Sequence, residues 1–462
     1  MSTQSCGDAD EYDEPRRVKR QRVDTGRGDA PARVAGPSAD AVQPHDTISS
    51  VNPASTWRVP SPSSPVNRAA AFQQPVHLTQ FSYSSTRQLL NADDDSSNAS
   101  LGWLADERKW LPQAPSSRLD LNKGFEECIW RDESVDEGLD ALLDTLDKWH
   151  KRDQTGFAKD CLDRNKVFTW RGMMTRLMLA SYDSVDDRAL GWEMNAMMMD
   201  DALYLEDANS PAKLAAKASS EASSKRFAYH GIAFEGHMVS HSTSNPGPNN
   251  TNVQWCSIVK TNLDGHRMIL GGEVDCIRPR PFTHATNGHF KVSTNDFVEL
   301  KTNMIIKNER DEVNFEKNKL IKHFAQSFLL GVPTVIVGFR DRSGILTTVQ
   351  EFKTLELPRL VRGKPHAWDK NVLLSTSSKI LSFVTETISS SNPMHDKNQR
   401  FLKHVDRNQN DKNDIDNDDD KATFDHWPVF RIKFDSKSAI FHKLNQMDYT
   451  SPILEVKRSH PP

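Results

Sequence analysis

Two short stretches carry charged side chains at a spacing suited to holding a metal ion and a phosphate. In Glu273-Val274-Asp275 and Glu299-Leu300-Lys301 the charged residues stand two apart. On a strand, residues two apart share a face, so Glu273 joins Asp275 and Glu299 joins Lys301. The apolar neighbours Ile269, Leu270, Phe297 and Val298 set both stretches against a core, where charges need partners or a bound ion. Glu235, closing Gly231-Ile232-Ala233-Phe234-Glu235, offers a further acid. Acids converging on one pocket repel each other when alone but suit Mg²⁺ or Mn²⁺, which prefer oxygen ligands. Such ions polarise a phosphoryl oxygen and activate water, and a pair of them stabilises both the attacking and the leaving oxygen. An acid on one strand and ExK on the next is the pattern of metal nucleases. Alternating acids and lysines on an exposed strand are its plain alternative.

Other candidates are thinner. The guanidinium of Arg171 is able to clamp a phosphate through parallel hydrogen bonds, although an ion pair at a helix end explains such an arginine as well. Gln326 is in reach of a ribose or phosphate if it sits on a helix. His230 and His237 flank the Glu235 stretch without a regularly spaced partner histidine or cysteine, so structural roles suit them better than zinc. Ser240 lacks a nucleophile-elbow sequence around it, and no glycine-rich ATPase loop is present.

These residues need a scaffold, and the apolar pattern supplies one. Leu139, Leu142, Leu143, Leu146 and Trp149 predict an amphipathic helix over 135–149, and TWRGMMTRLMLASYD predicts a second from Trp170 with Met174, Leu177 and Met178 packed inward. The Ala-, Ser- and Lys-rich stretch from Asp207 to Lys225 reads as a solvent-facing helix or a loose connection. GIAFEG, HRMILGGEVDCI and DFVELKTNMII read as strands joined by loops. FEKNKLIKHFAQSFLLG has helical spacing at Phe315, Leu320, Phe324 and Phe328 and a stop at Gly331 and Pro333. TVIVGF, DRSG and ILTTVQEF read as strand, turn and returning strand, Leu374 to Ile388 as a helix, and Trp427 to Phe434 as the strand that completes the sheet. The fold class is therefore mixed α/β.

The 462 residues contain 59 Lys plus Arg against 63 Asp plus Glu, a formal net charge of −4. No general basic coat attracts nucleic acid, so an enzyme acting on RNA needs a local basic pocket. Five scattered cysteines argue against a disulfide scaffold or a CxxC zinc site. The start has no apolar signal core and no stretch is apolar enough to span a bilayer, so a reducing, soluble compartment and no membrane are expected. Residues 1–70 read as a disordered tail in which Arg16 to Arg22, RRVKRQR, is either a charged segment or a nuclear-import signal. A single domain is expected over 71–450, with a solvated acidic insertion at Asp406 to Asp420 and a short tail over 451–462. No internal repeat has a fixed period.

Taken in order, TWRGMMT, GIAFE, GGEVDCI, DFVELKT, KLIKHFAQSFLLGVPTVIVGFRDRSGIL and PRLVRGKPHAWDKNVLL closely resemble the Rai1/DXO family of decapping enzymes, especially its fungal Rai1 branch. The resemblance runs from about Pro75 to Phe434. It implies two packed sheets flanked by helices, with the site in a deep cleft. It also implies that Arg171 binds substrate phosphate, and that Glu235, Asp275, Glu299 and the main-chain carbonyl of Leu300 ligate two divalent ions, Glu273 joining directly or through water. Lys301 and Gln326 then position the scissile phosphate or the attacking water. Ile232 and Ala233 depart from the tyrosine and longer polar residue of many relatives, which alters the pocket wall without removing a ligand. The family's activities imply conversion of triphosphate, incompletely methylated guanosine-capped or NAD-capped RNA to 5′-monophosphate RNA, a nucleus-located 5′→3′ exoribonuclease as partner, and a use for the import signal. An intrinsic distributive exonuclease, or a scaffold with little catalysis, are the alternatives.

Overall fold

A computed structural model describes residues 56–111, 118–186, 189, 191–209, 213–215, 222–240, 247–279, 292–391 and 429–447. All lie in the second of the two units into which the chain divides, 51–462. The import signal at Arg16 to Arg22, the acidic insertion at 406–420 and the 451–462 tail fall outside the described residues.

In chain order the strands are β1 (Thr56–Arg58), β2 (Val76–Tyr83), β3 (Leu89–Leu90), β4 (Trp103–Leu104), β5 (Val167–Trp170), β6 (Trp192–Met199), β7 (Ala202–Asp207) and β8 (Val239–Ser240). They continue as β9 (Gln254–Leu263), β10 (His266–Glu273), β11 (Cys276–Ile277), β12 (Phe297–Met304), β13 (Thr334–Arg340), β14 (Leu346–Lys353), β15 (Val429–Asp435) and β16 (Ile440–Met447). One sheet has the order β1-β16-β15-β6-β7-β5-β10-β9-β2-β3 and the other β14-β13-β12-β11-β4-β8. The mixed α/β expectation holds.

Strand alternation divides the apolar residues between cores. Met268 and Leu270 of β10 and Val335 and Val337 of β13 enter the main core with the helices Arg171–Asp183, Ile321–Leu330 and Lys370–Ser391. Ile269 points to a second core under the helix Asp140–Arg152, and Ile336 to a third under the helix Ala222–Met238. Each sheet is thereby apolar on both faces, which is why its strands read as near-continuous apolar runs. The Met-rich face behaves as core: Met174, Leu177 and Met178 are fully buried. No helix among the described residues is long and apolar enough to cross a membrane.

Four sequence expectations shift. GIAFEG is not a strand but part of the helix Ala222–Met238, because Tyr229 or His230, Phe234 and Met238, all buried, recur at about one helical turn. The first helix starts at Asp140 rather than 135. Just before it, Gly138 adopts a left-handed φ of 49° and its carbonyl accepts from Trp170 Nε1 at 2.7 Å, which fixes a turn there. β15 does not complete its sheet, since β16 follows it outward and β1 pairs with β16 in turn. Strand structure is therefore present at Thr56–Arg58, within the stretch expected to be tail.

Glu206, 3% exposed, faces Asn195 across β6 and β7 and accepts from its amide at 3.1 Å. Burial pushes its carboxyl up to about 7, and Asp136, Asp140 and Asp207 add to the rise against the Asn195 hydrogen bond. A folded-state value raised above the unfolded one costs stability as pH climbs from about 4.5 to 7, and the cost is then constant. Glu206→Gln should therefore raise stability at pH 8 by up to about 3 kcal/mol and by clearly less at pH 5. Urea unfolding at the two pH values checks this; equal shifts at both would contradict it.

Candidate active site

The two charged stretches meet where the chain passes from one sheet to the other. β10 ends at Glu273 in the large sheet, and β11 starts at Cys276 in the small one, paired antiparallel with β12 through Cys276 and Val298. Glu273 and Asp275 are thus not two apart on one strand. Asp275 lies in the link between sheets, where the backbone N–H of Leu300 donates to its Oδ2 at 2.6 Å. Val274, 2% exposed, pins the link into the main core. Glu299 and Lys301 do share a strand face, as expected, on β12.

Two cations bind the acids together. Lys301 Nζ lies 2.5 Å from Glu299 Oε1 and 3.9 Å from Asp275 Oδ2, and it also donates to the Leu300 carbonyl at 3.1 Å. Arg171, the first residue of its helix, donates from Nη1 to Glu299 Oε2 at 3.0 Å. Its place follows from Gly272, where a Cβ would come 3.1 Å from the Arg171 Cβ and 2.6 Å from Leu330; only glycine lets the helices approach β10 so closely. Glu235 comes from the helix Ala222–Met238, anchored by fully buried Phe234 against Gly338 of β13.

The charges do not cancel. Four carboxylates, Glu235, Glu273, Asp275 and Glu299, face two cations. Glu299, gripped by Lys301 and Arg171 despite its burial, is held down at about 2. Burial pushes Asp275 up to about 7, with Glu299 and Glu273 adding to it against Lys301. Burial and then Asp275 push Glu235 well above the carboxylate range, and burial raises Glu273 against the pull of Arg171. Among the described residues no three of His, Cys, Asp and Glu already form a cage for an ion; the lysine and arginine stand between them. The donor set nevertheless fits a hard divalent cation, being all oxygen and carrying surplus negative charge that a cation would relieve.

Several contributors had no sequence signal. Gln254 Nε2 donates to Glu273 Oε2 at 2.9 Å, and Arg87 Nη1 donates to Gln254 Oε1 at 2.6 Å while its Nε and Nη2 grip Glu137. The chain Glu137–Arg87–Gln254–Glu273 orients a site acid from behind. His323 lies buried near Lys301 and Glu299, and burial followed by the charge of Lys301 lowers it to about 3, so it is neutral. Half-buried Gln326 shares its helix face, three residues on. A π-helical turn, Phe315–Leu320, precedes this helix. Buried Glu316 locks the turn, accepting from Lys364 and His366 at 2.5 and 2.7 Å, while its carbonyl accepts from Trp368 Nε1. The PHAWD block thus sets the register of the helix. His230 and His237 bond Asn122 and the Trp110 carbonyl and are structural.

An acid on the link before β11, ExK on the adjoining β12 and flanking helices that bring Arg171 and a further acid together define a nuclease of the PD-(D/E)XK class. A family described as RAI1-like PD-(D/E)XK nuclease matches residues 73–454, and the chain belongs to it. It is 34% identical over 387 residues to a protein of Mycosarcoma maydis called decapping nuclease RAI1, covering 71% of this chain and 74% of that one. Its fold matches Scheffersomyces stipitis Rai1, solved with (3′-NADP)⁺ and calcium, at a TM-score of 0.64 and 21% identity over 89% of this chain and 99% of that one. Candida albicans Rai1, solved with pU5 and Mn²⁺, matches at 0.63 and 20% identity over 87% and 95%.

Removing Lys301 leaves four acids with one cation. Without divalent metal, Lys301→Met should cost about 3 kcal/mol of stability at pH 8, as expected for breaking a buried ion pair. The deficit should shrink at pH 5, where the raised carboxyls take up protons. Denaturant melts in EDTA read both values, and a deficit independent of pH would rule out uncompensated charge as its source.

Proposed function

We propose that this chain is a divalent-metal-dependent hydrolase of RNA 5′ ends that turns triphosphate, incompletely methylated guanosine-capped or NAD-capped RNA into 5′-monophosphate RNA. The observation that carries the reading is the convergence of Glu235, Glu273, Asp275 and Glu299 on Lys301 and Arg171, with more negative charge than the two cations neutralise. The decapping names of the relatives and the Mn²⁺ and calcium seen in solved ones support it.

Glu235, Asp275, Glu299 and the Leu300 carbonyl would hold two Mg²⁺ or Mn²⁺ ions, with Glu273 reaching them directly or through water. Bound there, the ions supply Lewis-acid activation of the scissile phosphate and of the attacking water. Arg171 clamps the phosphate, and its grip on Glu299 sets the angle of approach. The Lys301 ammonium balances charge that develops as water adds to phosphorus and the bond to the departing pyrophosphate, cap dinucleotide or NAD breaks. Gln326 orients the phosphate or the water through its amide, and Gln254 with Arg87 keeps Glu273 from swinging away. We further infer one catalytic domain, its start moved from about 71 to about 56 because β1 pairs in the large sheet and Val59 joins the core, a nuclear location, and a partner 5′→3′ exoribonuclease that degrades the monophosphate product.

The test is product analysis with Mg²⁺ or Mn²⁺ on RNAs bearing triphosphate, unmethylated-cap, methylated-cap, NAD or monophosphate ends. Release of pyrophosphate, cap dinucleotide or NAD is expected, with monophosphate RNA left whole. Progressive nucleotide release from monophosphate RNA would establish an intrinsic exonuclease, and no metal-dependent product would favour a scaffold. Asp275→Ala and Glu299→Ala should each lower turnover by at least about a hundredfold while the circular-dichroism spectrum stays folded. Normal turnover in either variant would sink the site.

A further inference from the structure

A chain of net charge −4 needs a local attraction to hold a polyanion, and a cavity walled by the residues that follow Lys301 supplies one. β12 runs on from Lys301 to Met304, about 10 Å at strand rise, and Thr302 to Ile305 wall a cavity of about 430 Å³. Lys307, Lys319, Arg340 and Arg342 line it, against the one carboxylate Asp311, one oxygen of which already accepts from the Lys307 backbone.

Arg340 is the informative member. It ends β13 beside Met304, with which it pairs in the sheet, and it is only 7% exposed. Its Nη1 donates to Met304 Sδ at 3.0 Å and to the Asp341 carbonyl at 3.2 Å, both weak compensation for a buried cation. Its Nε has no hydrogen-bond partner, and no carboxylate among the described residues pairs with it. Burial lowers its pKa, and the charge of neighbouring Asp341, which forms no ion pair with it, only partly opposes the shift. A guanidinium left in this state is costly unless an anion completes it. Phe227, 56% exposed, lies over it with Arg340 Cζ 5.4 Å from the ring centroid. Phe227 belongs to the helix that carries Glu235 two turns later, so β12 joins the cavity to the acids directly and that helix joins them through the ring over Arg340.

We propose that this cavity is an anion subsite for the phosphodiester backbone of the RNA downstream of its 5′ end, with Arg340 as its buried anchor and Lys307, Arg342 and Lys319 as its rim. The inference rests on the RNA reading above and adds where the body of the substrate is held. Exposed Phe227 gives a base a surface on which to stack. Contacts of this type follow the backbone, so binding strengthens with RNA length and not with sequence.

The experiment measures fluorescence polarisation of labelled 5′-hydroxyl oligouridines, two and ten nucleotides long, with the full chain in EDTA, so that no chemistry is needed. The unmodified chain should bind the longer RNA much more tightly. The rim variant Lys307→Ala/Arg342→Ala, at exposed positions where folding is not at stake, and Arg340→Gln should each weaken the longer RNA about tenfold and lower the salt slope of binding by about one per lost phosphate contact. The two-nucleotide RNA should be affected less. Unchanged affinity in the rim variant, equal loss for both lengths, or no length dependence in the unmodified chain would overturn the subsite. A chain that binds in this way yet releases no 5′-end product would keep the subsite and discard the hydrolase reading.

Discussion

Everything around the site answers to one constraint: four carboxylates share a buried space with two cations. Charge of one sign in a poorly solvated place must be offset by nearby charge or by protons. Lys301 and Arg171 offset part of it and thereby hold Glu299 ionised, while Asp275 and Glu235 retain protons at pH values where ordinary carboxyls have lost them. The scaffold enforces the crowding. A strand of each sheet, the link between them and two helices each deliver a charged group, so the crowding is built into elements that are themselves packed in the core.

What could be read from the chain was what obeys a local period. Glu299 and Lys301 lie two apart on one strand, and their shared face followed from spacing alone. Glu273 and Asp275 were placed together for the wrong reason, because a strand end and a change of sheet cannot be seen in three residues. Phe234 was read as strand because a window of six residues hides the spacing to Met238 and Tyr229. The partners of Glu273 were invisible: Gln254 and Arg87 are 19 and 186 positions away, and an isolated polar residue carries no mark of what it will touch. The same holds for β1, three residues whose only reason for being a strand is an edge built by residues 440–442.

Charge is also partitioned along β12. At one end Glu299 joins an acid-rich cluster suited to cations, and at the other Met304 opens onto a basic cavity suited to anions. Met304 and Glu299 are five residues apart, so fields of opposite sign stand within about 17 Å on one rigid strand. A near-neutral chain can in this way present strong local potentials without the self-repulsion of a high net charge.

The closure of the large sheet has a bearing on how the protein is made. β6 lies mid-chain, but its outer edge is covered by β15, with Arg431 bonded to Asn195 across 236 positions, and Arg58 reaches Ser438 across 380. On the ribosome, the buried, methionine-rich β6 therefore has an open flank until β15 leaves the exit tunnel. Such a flank invites pairing with other nascent chains. β1 cannot dock on this edge until β16 is present, so the edge closes long after β1 has been made. Until then the unfinished chain is a natural client for chaperones that cover exposed strand edges.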